Sequence, residues 1–296
     1  MAVVKPKRTG FIGLGNIGKP MALRLAADES IDLRVFDVAP EPVAELVAAG
    51  ATEAESIGAL GNWADVICVM VRDDDQVRSV LGEVLKDLQT RNDFIPVSFV
   101  IHSTVAPETP AELVNQVMGV CGFAVEIIDA PVSGGPMGAA DGSLAIMVGA
   151  SSEAFKAVEP VLSVMGTKVI HAGELGSGTK FKLARNLLHF VSFTASAEAA
   201  RLAEAAGLDI KVLGDVVRHT DAITGGPGAI MHRDTTAPIP EGDFWESVFS
   251  HVRALGEKDL GFAIALADKL GVDVPLARLS VDRLGPALGL QGDHDG

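Results

Sequence analysis

At 296 residues the chain is about twice the length of a typical domain, so two domains are expected. Its 48% hydrophobic and 21% charged content is that of a globular protein with a sizeable core, and its net charge of −15 would repel a phosphate backbone and argues against nucleic-acid binding. No apolar run approaches the roughly eighteen residues of a membrane span, and Met1 to Arg8 lack the apolar core of a signal peptide.

Cys68 and Cys121 lie in apolar surroundings without metal-ligand spacing or a disulfide pattern, which fits a reduced, cytoplasmic setting and no metal. Residues Thr9 to Gly15 read as a buried strand entering Gly13-Leu14-Gly15-Asn16-Ile17-Gly18. A helical segment from Lys19 to Ala27 follows, then an apolar run, Asp32 to Phe36, that ends in Asp37. This is a G-x-G-x-x-G fingerprint in its strand–turn–helix–strand context. Its glycines allow a tight turn and bring a pyrophosphate close to the free N–H groups of a helix N-terminus. Gly13, Gly15, Asn16, Ile17 and Gly18 are therefore candidate cofactor-binding residues. Asp37 is expected to accept from the ribose hydroxyls and repel a 2′-phosphate. No arginine follows it, so NAD is expected in preference to NADP; an aspartate that merely caps the helix from Pro40 is compatible with either.

Strand signals at Asp65–Val71, Pro96–Ile101 and Val125–Ala130 alternate with helical ones at Asp73–Leu88 and Pro107–Met118. Ser143–Ala150 and Lys168–His171 read as further strands. The pattern predicts an α/β fold with a doubly wound, largely parallel sheet, whose ligands sit at the strand ends. That singles out Val71-Arg72, His102-Ser103-Thr104 and Asp129 to Gly135, with Gln76 facing the same crevice one turn past Arg72. Ser133-Gly134-Gly135 sets a hydroxyl beside two glycine amides, a possible cradle for a carboxylate. An ordinary turn between Val132 and Pro136 is the simpler alternative.

From Gly178 to Gly207 the chain has neither proline nor internal glycine and predicts a helix of about 45 Å, a beam between two domains. Lys182, Asn186 and His189 share one face of it, with Arg185 beside them. Leu183, Leu187, Leu188, Phe190, Val191 and Phe193 lead us to expect deep packing, where a lysine and an asparagine need a chemical reason. Beyond Gly207, helices are expected at Asp209–Arg218, Trp245–Leu270 and Pro275–Leu284, the last stopped by Gly285-Pro286. A Gly225 to Gly242 loop separates the first two. The domains are thus residues 1–173, binding dinucleotide, and 174–296, all helical.

Four ordered motifs carry a resemblance: Gly10 to Ala22, Asp129 to Gly135, the G-x-x-G-x-G-x-x-x-K-x-x-x-N pattern of Gly173, Gly176, Gly178, Lys182 and Asn186, and Lys258-Asp259-Leu260. Over nearly its whole length the chain resembles the β-hydroxyacid dehydrogenases, the family of 3-hydroxyisobutyrate dehydrogenase and tartronate semialdehyde reductase. The resemblance implies an N-terminal Rossmann domain, a long interdomain helix, an all-α C-terminal domain and a homodimer or homotetramer acting on a small carboxylate. It makes Lys182 the catalytic acid/base and Asn186 its substrate-positioning neighbour. Ser133, Gly134 and Gly135 would hold the carboxylate, and Val71, Gln76, Thr104 and Lys258 would line the nicotinamide.

Two positions depart from the family pattern, Arg185 where asparagine is frequent and Ile101 where aspartate is. Arg185 puts a cation near the lysine and is a candidate substrate-binding residue. An imine reductase shares this architecture but generally lacks the lysine and needs no carboxylate cradle. A non-catalytic dinucleotide-binding module has no need of Lys182 and Asn186. The decarboxylating 6-phosphogluconate enzymes share the motifs but have a much longer helical domain.

Overall fold

The computed structural model describes residues 7–88, 97–120 and 125–290; Met1 to Pro6, Pro96, Cys121 and the expected frayed end at 291–296 lie outside them. The chain divides into two compact units, Met1–Arg185 and Asn186–Gly296.

The first unit is built on β1 (Lys7–Ile12), β2 (Ile31–Phe36), β3 (Thr52–Glu53), β4 (Val66–Val69), β5 (Val97–Ile101) and β6 (Val125–Asp129). These run parallel in the order β3-β2-β1-β4-β5-β6. Their crossovers contain α1 (Gly18–Ala26), α2 (Pro40–Ala48), α3 (Ile57–Trp63), α4 (Asp74–Leu88) and α5 (Thr109–Val120). Every residue of β4 and β5 is buried, because helices cover both faces of a parallel sheet and leave no solvent side. One apolar core holds Phe11, Met21, Leu25 and Ile128; the other holds Ile67, Leu81, Phe99 and Ile127. The fold is the expected Rossmann type.

The sheet continues through β7 (Val132–Ser133), α6 (Gly135–Asp141), β8 (Ala145–Gly149), α7 (Ser152–Met165) and β9 (Lys168–Gly173). Strand β8 is antiparallel to β6 and β7, and β9 is parallel to β8. The sequence reading does not anticipate β3, β7, α3, α6 or α7. Two-residue strands are too short for a periodic signal, and α3 contains two glycines. One of them, Gly61, has a physical reason: a Cβ there would stand 2.9 Å from the Val84 carbonyl oxygen of α4. Helix α7 holds Pro160 in its interior and starts from a Ser151 cap that accepts from the Ala154 N–H at 3.2 Å.

Helix α8 (Ser177–Ala205) contains the boundary between the units and is followed by α9 (Ile210–Thr224), α10 (Phe244–Leu270) and α11 (Pro275–Ala287). Asp209 caps α9 through the Lys211 N–H, and the helix continues past Arg218 to a left-handed Gly225. Helix α11 does not stop at Gly285-Pro286. Pro286 is its penultimate residue, where the missing N–H removes only one bond of the last turn. Buried Glu198 of α8 caps α11 by accepting from the Leu276 and Ala277 N–H groups at 2.8 and 3.0 Å.

The expected deep packing of α8 does not hold in the single chain. Leu187 is 69% exposed, and Phe181, Leu183, Phe190, Val191 and Phe193 are also exposed. No residue of α9 is buried. An all-round apolar helix needs neighbours on every side, and four helices in one chain do not supply them.

Candidate active site

Packing requires two of the fingerprint glycines, and the third faces open space. Gly13 has φ +94°, and a Cβ on it would stand 2.3 Å from the Met70 carbonyl oxygen. At Gly18 a Cβ would collide with the Gly13 carbonyl oxygen at 1.9 Å, so close helix–strand packing excludes a side chain there. Around Gly15 a Cβ would meet nothing within 4 Å. Its face is open, as approach of a pyrophosphate requires. No side chain caps α1; the Lys19 N–H donates to the Gly15 carbonyl at 3.0 Å and Pro20 has no N–H, which leaves the Gly18 N–H of its first turn to an anion, with Asn16 exposed and Ile17 half-buried beside it.

Asp37 follows β2. Its carboxylate accepts from the Leu14 N–H at 2.5 Å and from the Ala39 N–H at 2.8 Å. It therefore ties the glycine loop to β2 and braces the turn at Ala39, but it does not cap the helix from Pro40, which has no side-chain cap. A cavity of about 360 Å³ opens beside it, lined by Phe36, Asp37, Val43, Glu53, Ala54 and Glu55. Three carboxylates and no cation line this space, which fits ribose hydroxyls and opposes a phosphate.

Val71 lies against the glycine loop, its Cγ1 at 3.2 Å from a Cβ placed on Gly13. Its backbone is held in both directions by Ser103, whose hydroxyl donates to the Val71 carbonyl at 2.7 Å and accepts from the Val71 N–H at 2.9 Å. Gln76 Oε1 accepts from the Arg72 N–H at 3.1 Å, which closes the turn entering α4. Arg72 and Thr104 are exposed at these strand ends. The ends of β1, β2, β4 and β5 thus bring Gly13, Gly15, Asp37, Val71, Arg72, Gln76 and Thr104 to one edge of the sheet. His102 lies beneath it, with Nδ1 at 2.9 Å from the Ala130 carbonyl and the ring stacked on Phe11. Burial pushes its pKa down to about 4, so the imidazole is neutral at physiological pH. Burial likewise pushes the Cys68 thiol up to about 12 and leaves it inert.

At β6 the chain turns through Ser133 into Gly134, φ +135°, and Gly135, φ +63°. A Cβ on Gly134 would press on Leu144 at 3.0 Å, whereas Gly135 faces open space. The buried carboxylate of Asp129, at the end of the same strand, accepts from the Gly176 and Thr179 N–H groups, each at 2.6 Å. The substrate-loop candidate and the first turn of α8 therefore start from one side chain.

Lys182 lies three residues beyond Thr179. It is 8% exposed and has no hydrogen-bond or ion-pair partner among the described residues. Burial, followed by the nearby charge of Arg185, lowers its pKa from the ordinary lysine value. Lys180, two residues earlier, is exposed. Asn186 and Lys258 belong to the second unit; Asn186 follows Lys182 by one turn of α8, and Lys258 lies on α10 with its ammonium 3.2 Å from Asp259. His189 packs against Phe193 with ring centroids 4.2 Å apart.

Comparison with known proteins decides the family. The NAD binding domain of 6-phosphogluconate dehydrogenase matches residues 8–173, and the NAD-binding domain of NADP-dependent 3-hydroxyisobutyrate dehydrogenase matches residues 176–295. The chain belongs to the β-hydroxyacid dehydrogenase family.

A β-hydroxyacid dehydrogenase of this sequence is 49% identical to an uncharacterised oxidoreductase of Mycobacterium tuberculosis, over 96% of this chain and 94% of the relative. It is 34% identical to the NAD-dependent L-serine dehydrogenase of Pseudomonas aeruginosa, over 93% and 90%. It superposes on the crystal structure of a putative oxidoreductase from Mycobacterium avium with a TM-score of 0.88 at 45% identity, covering 96% of this chain and 99% of that one. This β-hydroxyacid dehydrogenase is an NAD(P)-binding oxidoreductase, and none of its described helices is long and apolar enough to cross a membrane. Two residues that shape the site carry no assigned role in the sequence reading, Ser103 and Asp129. The signal for Ser103 there is position, a polar residue just after an apolar strand, and that for Asp129 is its place at the head of the Asp129–Gly135 motif.

Proposed function

We propose that this enzyme interconverts a small β-hydroxy acid and its semialdehyde or keto acid with NAD, using Lys182 as general acid/base. One observation carries the reading: a lysine side chain more than nine-tenths buried, without a hydrogen-bond or ion-pair partner among the described residues and lowered in pKa, near the start of α8. A structural lysine usually extends into water along its whole length or pairs with a carboxylate; this one is 8% exposed and pairs with none among the described residues. When bound, the nicotinamide supplies the hydride acceptor. Neutral Lys182 takes the hydroxyl proton during oxidation and returns it during reduction. Asn186, one turn on, donates to the hydroxyl oxygen without adding charge. Ser133, Gly134 and Gly135 hold the carboxylate, and Arg185 sets which side chains the substrate carries near the lysine. Val71, Arg72, Gln76, Thr104 and Lys258 line the nicotinamide half of the cofactor.

Asp37 and its acidic cavity support NAD over NADP. The name of one relative, an NAD-dependent L-serine dehydrogenase, agrees, and supports hydroxy acids of serine size. The water-exposed Leu187, Phe190 and Phe193 of α8 and the uncovered α9 support a homodimer or homotetramer.

A screen of 3-hydroxyisobutyrate, 3-hydroxypropionate, glycerate, serine and threonine tests the reading, and NAD-dependent oxidation of at least one is the expected result. NAD binding without turnover would favour the interaction module, and reduction of cyclic imines the imine reductase. For the cofactor, kcat/KM is expected to be higher with NAD than with NADP. Asp37→Ser should narrow the ratio by about ten- to a hundredfold, the worth of one charge-assisted hydrogen bond. The ratio is the readout because the same carboxylate holds the Leu14 N–H, so the substitution also weakens NAD itself. A wild-type preference for NADP would overturn the assignment.

A further inference from the structure

We propose that Asp129 is a positioning residue for the acid–base lysine: its carboxylate fixes the depth and rotation of the first turn of α8, and with them the burial of Lys182. The inference rests on the reading of Lys182 only for its consequence in turnover.

A largely buried lysine without a partner is under stress, and the simplest relief is for its helix to move until the charge is fully hydrated. Something has to hold α8 against that displacement. Asp129 is fully buried at the end of β6, and its two oxygens accept from the Gly176 and Thr179 N–H groups, both at 2.6 Å. Such charge-assisted bonds to a helix N-terminus are the strong kind, and the helix dipole adds to them. Two bonds to N–H groups three residues apart fix rotation as well as depth, which a single bond does not.

The carboxylate has no room to swing. A Cβ on Gly149 of β8 would stand 2.3 Å from Asp129 Oδ1 and 2.9 Å from the Gly178 nitrogen. One on Gly178 would stand 2.1 Å from the Met147 carbonyl oxygen. Only hydrogen atoms fit where β6, β8 and α8 meet, and this is the physical reason for two glycines far apart in sequence. Lys182 is three residues past Thr179, about one turn up a rigid helix, so a shift at the anchor reaches it undiminished. The charged group acting on Lys182 is Arg185; Asp129 acts on the helix backbone.

The experiment compares Asp129→Asn and Gly149→Ala with wild type. An asparagine satisfies one N–H and turns its amide donor on the other. The alanine keeps the carboxylate but pushes it off the helix. Titration of Lys182 is read by pH-dependent acylation with acetic anhydride and peptide mapping, with exposed Lys180 as internal reference, alongside kcat and NAD affinity. In both variants the Lys182 midpoint should rise towards the ordinary lysine value. In both, kcat should fall by about 10- to 100-fold, the effect of misplacing a reacting group by about an ångström, with NAD binding retained. Gly149→Ala carries the test alone where Asp129→Asn gives no folded protein. If Asp129 acted through its charge, Asp129→Asn would lower the midpoint and Gly149→Ala would leave it in place. A mere helix cap would lower the melting temperature with the midpoint unmoved. Either result overturns the proposal. A raised midpoint with kcat unchanged would uphold the positioning and refute the acid–base role of Lys182 instead.

Discussion

Lys182→Ala is expected to lower kcat by about 10²–10⁴-fold, the usual worth of a positioned proton-transfer group, while NAD affinity is largely kept. Lys180→Ala should do little, because Lys180 is exposed and lies about 200° round the helix from Lys182. The pH profile adds a sign. Oxidation needs the neutral amine, so its kcat/KM should rise with pH through the lowered Lys182 pKa and level off above it. Reduction needs the ammonium and should fall through the same range. Lys182→Ala should abolish both limbs.

Stability is linked to the same group. Between the lowered folded pKa and the ordinary lysine value, the unfolded chain binds more protons than the native one, so stability rises with pH across that window. Below the folded pKa the full penalty of the buried charge remains. Lys182→Met, which keeps the volume and removes the charge, should therefore melt at a higher temperature at neutral pH while being inactive. Equal and mild effects of the Lys180 and Lys182 substitutions on kcat would sink the mechanism.

The free acid is expected to be turned over far better than its methyl ester or amide. Each charge-assisted bond to the carboxylate is worth about 1.5–3 kcal/mol, so losing one or two should lower kcat/KM by roughly ten- to ten-thousand-fold. The expectation depends on the backbone at Gly134 and Gly135, whose positive φ values expose consecutive amides on the turn after Ser133. Gly134→Val is strained at φ +135° and presses on Leu144, so it should displace those amides. It should remove the discrimination between acid and ester and leave NAD binding measurable. Turnover of the ester at the rate of the acid by the wild type would reject the cradle.

Much of the candidate cofactor site was legible because its requirements are local. A left-handed turn at Gly13 and contact at Gly18 each exclude a side chain, Gly15 leaves its face open, and all three are written as glycine within six residues. Asp37 follows at the spacing that one helix and one strand impose. The long helix was equally plain, since composition and the absence of breakers act within each turn. The stop signal at Gly285-Pro286 misled for α11, because a proline in the final turn forfeits little. What the tertiary structure alone decided is which polar residues are buried and what they touch. Asp129 reaches N–H groups 47 and 50 residues further on, and an acid after a strand reads the same whether it meets water or a helix N-terminus. The burial of Lys182 follows from that contact. The apolar residues of α8 show by composition that the helix avoids water; whether their own chain covers them depends on how many neighbours the fold brings alongside, and periodicity does not encode that number.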